Sequence, residues 1–156
     1  MAKNKKLETF YQNVYLKGEK NHFTPFVTKG TFSTEAQEVI KEINWKGKTI
    51  LDVGCGTGNF ASEVAKKGAK NVLGIDYAEQ AITLAKQKHK RKNLEFKVMN
   101  AKDVKEKFDV IVSLGTLEHM DDPYKMLKIF KKNLKPNGKI IITSPNWANP
   151  RGDMLM

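Results

Sequence analysis

Three glycines spaced two apart stand in LDVGCGTGNF, residues 51–60: Gly54, Gly56 and Gly58, with Asp52 just ahead of them. A chain gives up side chains in such a row where something must come close to its main chain. Asp76 follows 22 residues after Gly54, a place from which a carboxylate can accept hydrogen bonds from both hydroxyls of a ribose. A third group, Glu118-His119 with Asp121-Asp122 behind it, offers acid–base chemistry. Histidine changes charge near neutral pH and is the best candidate here to take a proton from a reacting hydroxyl. Glu118 and His119 have a second reading, as caps or braces of the helix that opens at Asp122-Pro123, and both readings stand.

Such residues work only if strand tips and helix starts carry them to one edge. KTILDVG (48–54), KNVLGID (70–76), LEFKVMN (94–100), FDVIVSL (108–114) and KIIITS (139–144) are apolar runs of strand length. Helical patterns alternate with them. STEAQEVIKEINW (33–45) puts Ala36, Val39, Ile40 and Ile43 on one face. NFASEVAKKG (59–68) turns Phe60, Ala61, Val64 and Ala65 inward and stops at Gly68. EQAITLAKQKHK (79–90) uses Ala81, Ile82 and Ala85, and the helix opened by Asp122-Pro123 uses Met126, Leu127, Phe130 and Leu134. The link around AKDVKEK has room for a single helical turn, and KPNG (135–138) is expected to turn the chain into the fifth strand. The alternation predicts an α/β fold, a doubly wound, mainly parallel sheet with helices on both faces. Residues 1–32 carry Phe10, Tyr11, Tyr15, Phe23 and Phe26 without a clean period and are expected to form a helical lead-in; residues 33–156 form the one domain that 156 residues allow.

In such folds ligands bind beyond the carboxyl ends of the strands, and the first strand-to-helix turn comes nearest to them. A nucleotide-hydrolase phosphate loop needs Lys followed by Ser or Thr after its last glycine; Asn59-Phe60 stands there. A dinucleotide loop places its third glycine one residue later than Gly58. A plain glycine turn accounts for the row in isolation but not for Asp76. A main-chain cradle with a ribose clamp, and nothing dedicated to pyrophosphate, points to a nucleoside carrying something other than phosphates.

The net charge of +11 raises nucleic acid as a partner, yet the cations are nearly all lysine, with arginine only at Arg91 and Arg151. Arginine is the usual reader of bases and phosphates, so a lysine-rich surface argues first for solvation. The densest run, KQKHKRK (86–92), sits at a predicted helix end, where cations answer the backbone dipole, and holds no interleaved aromatics. Nucleic acid is therefore a partner that is not favoured. No apolar run is long enough to span a bilayer, and MAKNKK has no hydrophobic stretch behind it, so neither a membrane span nor a secretory signal is expected. The single Cys55 excludes an intramolecular disulfide and fits a reducing compartment; a cytoplasmic location is expected.

LDVGCGTG followed by Asp76, then FDVIVSLGTLEHMDDP and LKPNGKIIITSPN, resembles the class I S-adenosylmethionine-dependent methyltransferases over roughly residues 35–147. The resemblance implies a Rossmann-like methyltransferase fold and S-adenosyl-L-methionine as cofactor. It implies that Gly54, Cys55 and Gly56 pass their main chain along the methionine part, with Asp52 nearby, and that Asp76 holds the ribose. Tyr77 would lie against the adenine. Asn100-Ala101 replaces the Asp-Ala pair usual at the adenine edge, and the Leu114 carbonyl would accept from the cofactor's amino group. Tyr11, from its position in the lead-in, would close over the carboxylate.

The same resemblance bears on the acceptor. Base-amine methyltransferases carry an N-P-P-Y-like tetrapeptide after the fourth strand, where this chain has SLGT (113–116); SPNW (144–147) follows the fifth strand instead. Small-RNA 2′-O-methyltransferases and ubiquinone-pathway O-methyltransferases tend to carry E-x-x-E-H with metal ligands. Gly115 stands at the first glutamate here, so no metal site is assigned to Glu118 and His119. TSPNWANP (143–150) is similar to the Pro-Asn segment of those relatives. The expected activity is methyl transfer to a small-molecule hydroxyl, with His119 and Glu118 as catalytic residues. A cofactor-binding module without turnover and an RNA methyltransferase are the alternatives. Such enzymes have seven strands and only five are found here, which suggests a fragment that ends after the fifth strand; an exposed Ile140-Ile141-Ile142 edge would otherwise invite a dimer.

Overall fold

The structure, a computed structural model, describes residues 34–144. The lead-in with Tyr11 and the SPNW segment beyond Ser144 lie outside the described residues. The elements run α1 (Thr34–Glu42), β1 (Thr49–Val53), α2 (Asn59–Lys66), β2 (Asn71–Asp76), α3 (Glu79–Lys88), β3 (Leu94–Val98), β4 (Phe108–Leu114), α4 (Pro123–Lys132) and β5 (Leu134–Thr143). Two 3-10 turns, Ala101–Asp103 and Leu117–His119, follow β3 and β4. Neighbouring strands are parallel throughout, in the order β3-β2-β1-β4-β5. The expected doubly wound sheet is therefore what the chain forms, and the single turn foreseen between β3 and β4 is the first of the two 3-10 turns.

Alternation along the strands divides the core in two. Ile50, Val72, Val110 and Val112 pack with Ala36 and Ile40 of α1, Phe60 and Val64 of α2, and Ile82 of α3. Leu51, Val53, Leu73, Ile75 and Ile111 point the other way, against Ala101, Val104 and Phe130 of α4. Each face thus carries helices. Among the described residues no helix is long and apolar enough to cross a membrane.

Three details differ from the sequence pattern. The helical pattern runs on to Trp45, but α1 ends at Glu42 and Trp45 folds back into the core, 2% exposed. Its Nε1 donates to the Ile40 carbonyl at 2.9 Å, answering a last-turn acceptor, and its ring meets Phe60 edge-on at 6.0 Å. KPNG was expected before the fifth strand; instead β5 opens at Leu134, which pairs with Phe108, and pairing resumes at Lys139 opposite Val110. Residues 135–138 loop out of the ladder between those points, with Asn137 at φ 61°. The strand also ends one residue early, at Thr143.

Two asparagines, the buried Asn133 and the half-buried Asn93, fasten the ends of the layers. Asn133, just past α4, donates from Nδ2 to the carbonyls of Val104 and Glu106 at 3.0 and 2.8 Å, while its own carbonyl accepts from Phe108 N at 2.9 Å. Asn93 donates to Ala65 and Ala69 carbonyls at 3.0 and 2.8 Å, capping the end of α2.

Candidate functional site

The glycine row begins where β1 stops. Gly54 N and Cys55 N both donate to the Ile75 carbonyl, at 2.8 and 3.0 Å, so the turn is pinned to β2 as it leaves the sheet. Gly54 has φ 76°, where a side chain is strained, and a Cβ built on it would overlap Oγ1 and Cγ2 of Thr116. Gly58 has φ 77°, and a Cβ there would run into the Phe96 ring. The third glycine thus serves the seating of α2 against β3, while the first faces the open edge.

Asp76 ties the loop down. Its Oδ2 accepts from Gly56 N at 3.0 Å and its Oδ1 from Ala78 N at 2.9 Å, so one carboxyl fixes both the glycine loop and the start of α3. Burial raises its pKa, partly offset by the main-chain N–H groups of Ala78, Gly56 and Tyr77. Asp52, level with Gly74 on one side and Val112 on the other, is 3% exposed, and its Oδ2 has no hydrogen-bond partner. Burial, and then the charge of Asp76, push the Asp52 carboxyl up to about 7. Cys55 lies over Gly74, whose added Cβ would stand 3.1 Å from Sγ. Burial first, then Asp52 and Asp76, raise its thiol well above the ordinary range.

A cavity of about 330 Å³ opens at this edge. Of the residues singled out by sequence, Gly54, Asp76, Tyr77, Asn100, Ala101, His119, Asp121 and Asp122 line it; Asp52, Cys55, Gly56, Leu114 and Glu118 do not. Asn100 Oδ1 accepts from Lys102 N at 3.1 Å, capping the turn after β3. The Leu114 carbonyl accepts from Thr116 Oγ1 at 3.1 Å. His119 is exposed on the rim, whereas Glu118 is half-buried with Oε2 enclosed and without a hydrogen-bond partner. The cap of α4 comes from Asp122, whose Oδ1 accepts from Lys125 N at 2.9 Å.

Sequence reasoning missed Thr116 and the apolar wall of Met99, Met120, Met126 and Ile129. Met126 was legible only as a core position of its helix. The packing of α4 beside the turn after β3 brings Met126 and Ile129 to the cavity.

A parallel sheet of this order, with a glycine turn at its first strand and carboxyls at two neighbouring tips, is the Rossmann-like architecture of the class I methyltransferases. The chain belongs to the methyltransferase domain family, whose model it matches over residues 44–154. It is 35% identical over 112 residues to a ubiquinone biosynthesis O-methyltransferase of Neisseria meningitidis, covering 67% of this chain and 47% of that one. The corresponding enzyme of Coxiella burnetii is 36% identical over 112 residues, covering 68% and 47%. Among solved structures, a Listeria monocytogenes protein assigned as an S-adenosylmethionine dependent methyltransferase aligns with a TM-score of 0.64 and 29% identity, over 70% of this chain and 54% of that one. Magnesium protoporphyrin IX methyltransferase of Synechocystis, solved with bound SAH, aligns with a TM-score of 0.67 at 18% identity, over 82% and 68%. The chain spans about half the length of the curated relatives it matches.

Proposed function

We propose that this chain is the cofactor-binding part of an S-adenosylmethionine-dependent O-methyltransferase that acts on a hydroxyl of a small molecule. The observation that carries the proposal is the pair of buried carboxyls, Asp52 and Asp76, joined by the glycine turn at one end of the cavity. The residues fit the cofactor chemically. Asp52 keeps an enclosed oxygen without a partner, and two adjacent acids favour a ligand that brings positive charge. Asp76, with both oxygens already steadied by N–H groups, retains lone pairs for ribose hydroxyls. Tyr77, Ala101 and the methionines supply apolar surface for a purine.

When bound, S-adenosylmethionine supplies an activated methyl group on its sulfonium. The work left to the protein is to align the acceptor and to exclude water. His119 on the rim would take the proton of the acceptor hydroxyl, and Glu118, set back from the cavity, would act through the short turn the two residues share. The likeness to ubiquinone biosynthesis O-methyltransferases supports a small-molecule hydroxyl over a nucleic-acid acceptor. The single Cys55 supports a reducing, cytoplasmic setting.

Calorimetric titration with S-adenosylhomocysteine tests the first half: binding at micromolar concentration is expected, with ATP and NAD inert. Labelled-methyl transfer to a panel of phenols and catechols tests the second. Binding without transfer to any acceptor would leave a cofactor-binding module; no binding at millimolar concentration would end the proposal.

A further inference from the structure

We infer that the amino edge of the sheet, opposite the cofactor cavity, is a docking face for the phosphate backbone of a nucleic-acid duplex. The lysine-rich composition by itself fits solvation; the topology adds where the charges fall. All five strands are parallel, so the segments that lead into them lie along one edge. Those segments read KGK (46–48), KKGAK (66–70), KHKRK (88–92), KEK (105–107) and KK (131–132). Glu106 is their one carboxylate, and every Lys and Arg in them except the half-buried Lys48 is exposed. At the opposite edge the balance reverses: Asp76, Glu79, Glu118, Asp121 and Asp122 gather there, with Lys102 and Lys125 among them.

Solvation and helix dipoles do not account for this segregation. A well-solvated surface intersperses both signs, and a helix dipole acts only within the last turn. Lys46, Lys48, Lys70, Lys92, Lys105 and Lys107 stand past the helices, outside any last turn. Of these segments only Lys66 has a carboxylate partner among the described residues, Glu63 at 2.9 Å. Lys86, Lys90, Arg91 and Lys92 also border a hollow of about 580 Å³, whose one carboxylate, Glu95, is held by Lys97 at 3.1 Å.

What the face lacks decides its occupant. An interface with a folded protein is built around an apolar core, and adsorption to a bilayer needs apolar side chains beside the charges. The exposed large apolar residues among those described are Tyr77, Leu84, Val98 and Tyr124, none of them in these segments. No Phe, Tyr or Trp stands there for unpaired bases to stack on. A duplex backbone asks only for cations, and lysine serves it as a point charge without reading sequence. Five strands at about 4.8 Å spacing make the edge about 20 Å wide. That length of duplex carries about 12 phosphates, fewer than half of them on the side that meets the protein. Bound there, a duplex leaves the cavity open, so it tethers the chain and is not its methyl acceptor.

The test is fluorescence anisotropy of the full chain with two labelled DNA duplexes of about 24 base pairs and unrelated sequence. Both are expected to bind alike, with micromolar affinity in 50 mM KCl that falls about 20-fold at 100 mM, as counterions of about five phosphates are released. K90Q/K92Q is expected to bind about 10-fold more weakly and with a flatter salt dependence. K102Q/K125Q removes as many charges from the cavity edge and is expected to stay within about twofold. Equal losses in the two variants would reduce the effect to net charge and overturn the inference. So would no binding below about 100 μM in 50 mM KCl, or a preference above about 10-fold for one sequence. Polyglutamate, or vesicles of phosphatidylserine and phosphatidylcholine, bound as tightly as the duplexes would make this a general anion or lipid surface and overturn it too.

Discussion

Asp52 and Asp76 are buried at the ends of adjacent parallel strands, and the charge of Asp76 adds to burial in holding the Asp52 carboxyl at about 7. The ordinary value for an aspartate is 3.8. The folded chain therefore keeps a proton on Asp52 that the unfolded chain releases. Stability from this group is complete below about pH 4, falls as pH rises, and is lost above about pH 7. At 1.36 kcal/mol per pH unit, the loss amounts to roughly 4 kcal/mol. D52N, which cannot ionise, is expected to melt several degrees higher than the unmodified chain at pH 8, and the gap should shrink towards pH 4. A gap of constant size across that range, measured by calorimetry, would refute the linkage.

The same carboxyl links binding to protons. A cationic cofactor favours the ionised form of Asp52, so S-adenosylmethionine should bind more tightly as pH rises from 6 to 8 and should release a fraction of a proton on binding near pH 6.5. Titrations in two buffers of different ionisation enthalpy measure that release directly. In D52N the release should disappear.

D76A removes the acceptor that steadies Gly56 N and Ala78 N as well as the proposed ribose contact. Affinity for S-adenosylhomocysteine is expected to fall by about 100-fold, towards the upper end of what one hydrogen bond to a charged group contributes, because the loop loses its anchor at the same time. Equilibrium dialysis with labelled ligand would show it; affinity within about threefold of the unmodified chain would contradict the anchoring role.

Gly58 and Gly47 separate backbone strain from crowding. Both have positive φ, at 77° and 73°, but a Cβ on Gly58 meets the Phe96 ring and one on Gly47 meets nothing within 4 Å. G47A should cost about 1 kcal/mol in urea unfolding, the penalty of the left-handed conformation alone. G58A should cost about 2 to 4 kcal/mol, since the ring beneath it must also move. Equal losses would mean that the packing of α2 against β3 is looser than the structure indicates.

The proposed role of His119 is tested by measuring binding and turnover separately. H119A is expected to leave S-adenosylhomocysteine affinity within about twofold while lowering methyl transfer to a hydroxyl acceptor by about 100-fold, the usual contribution of a positioned base. The loss should narrow at high pH, where the acceptor sheds its own proton. A pH-independent loss would assign His119 to positioning alone.

The sheet was legible because each buried strand is a short apolar run, and because the helices between them repeat their apolar residues at helical spacing. Gly54 and Asp76, which line the cavity, were legible for a related reason: polar or missing side chains at the tips of apolar strands have few structural uses. What stayed hidden depends on contacts between segments far apart in sequence. Asn133 looks like an ordinary residue after a helix until its amide meets carbonyls 27 and 29 positions away. Trp45 fits the helical period, yet burial of a large ring against Phe60 outweighs one further turn of helix. Thr116 carries no motif, and its place beside Gly54 follows only from β1 and β4 lying next to each other.

Residues 135–138 leave the β4–β5 ladder and return to it in pairing, far along the strand from the cavity. Lys135 at the start of this excursion is tied to the sheet, its Nζ donating to Thr49 Oγ1 at 2.8 Å and Asp109 Oδ2 at 2.9 Å, while Asn137 at its tip is exposed. Doubling the excursion would cost only about 0.6 kcal/mol of closure entropy, which makes position 137 a natural splice point where a reporter or a small folded module could be grafted while the cofactor edge keeps its shape.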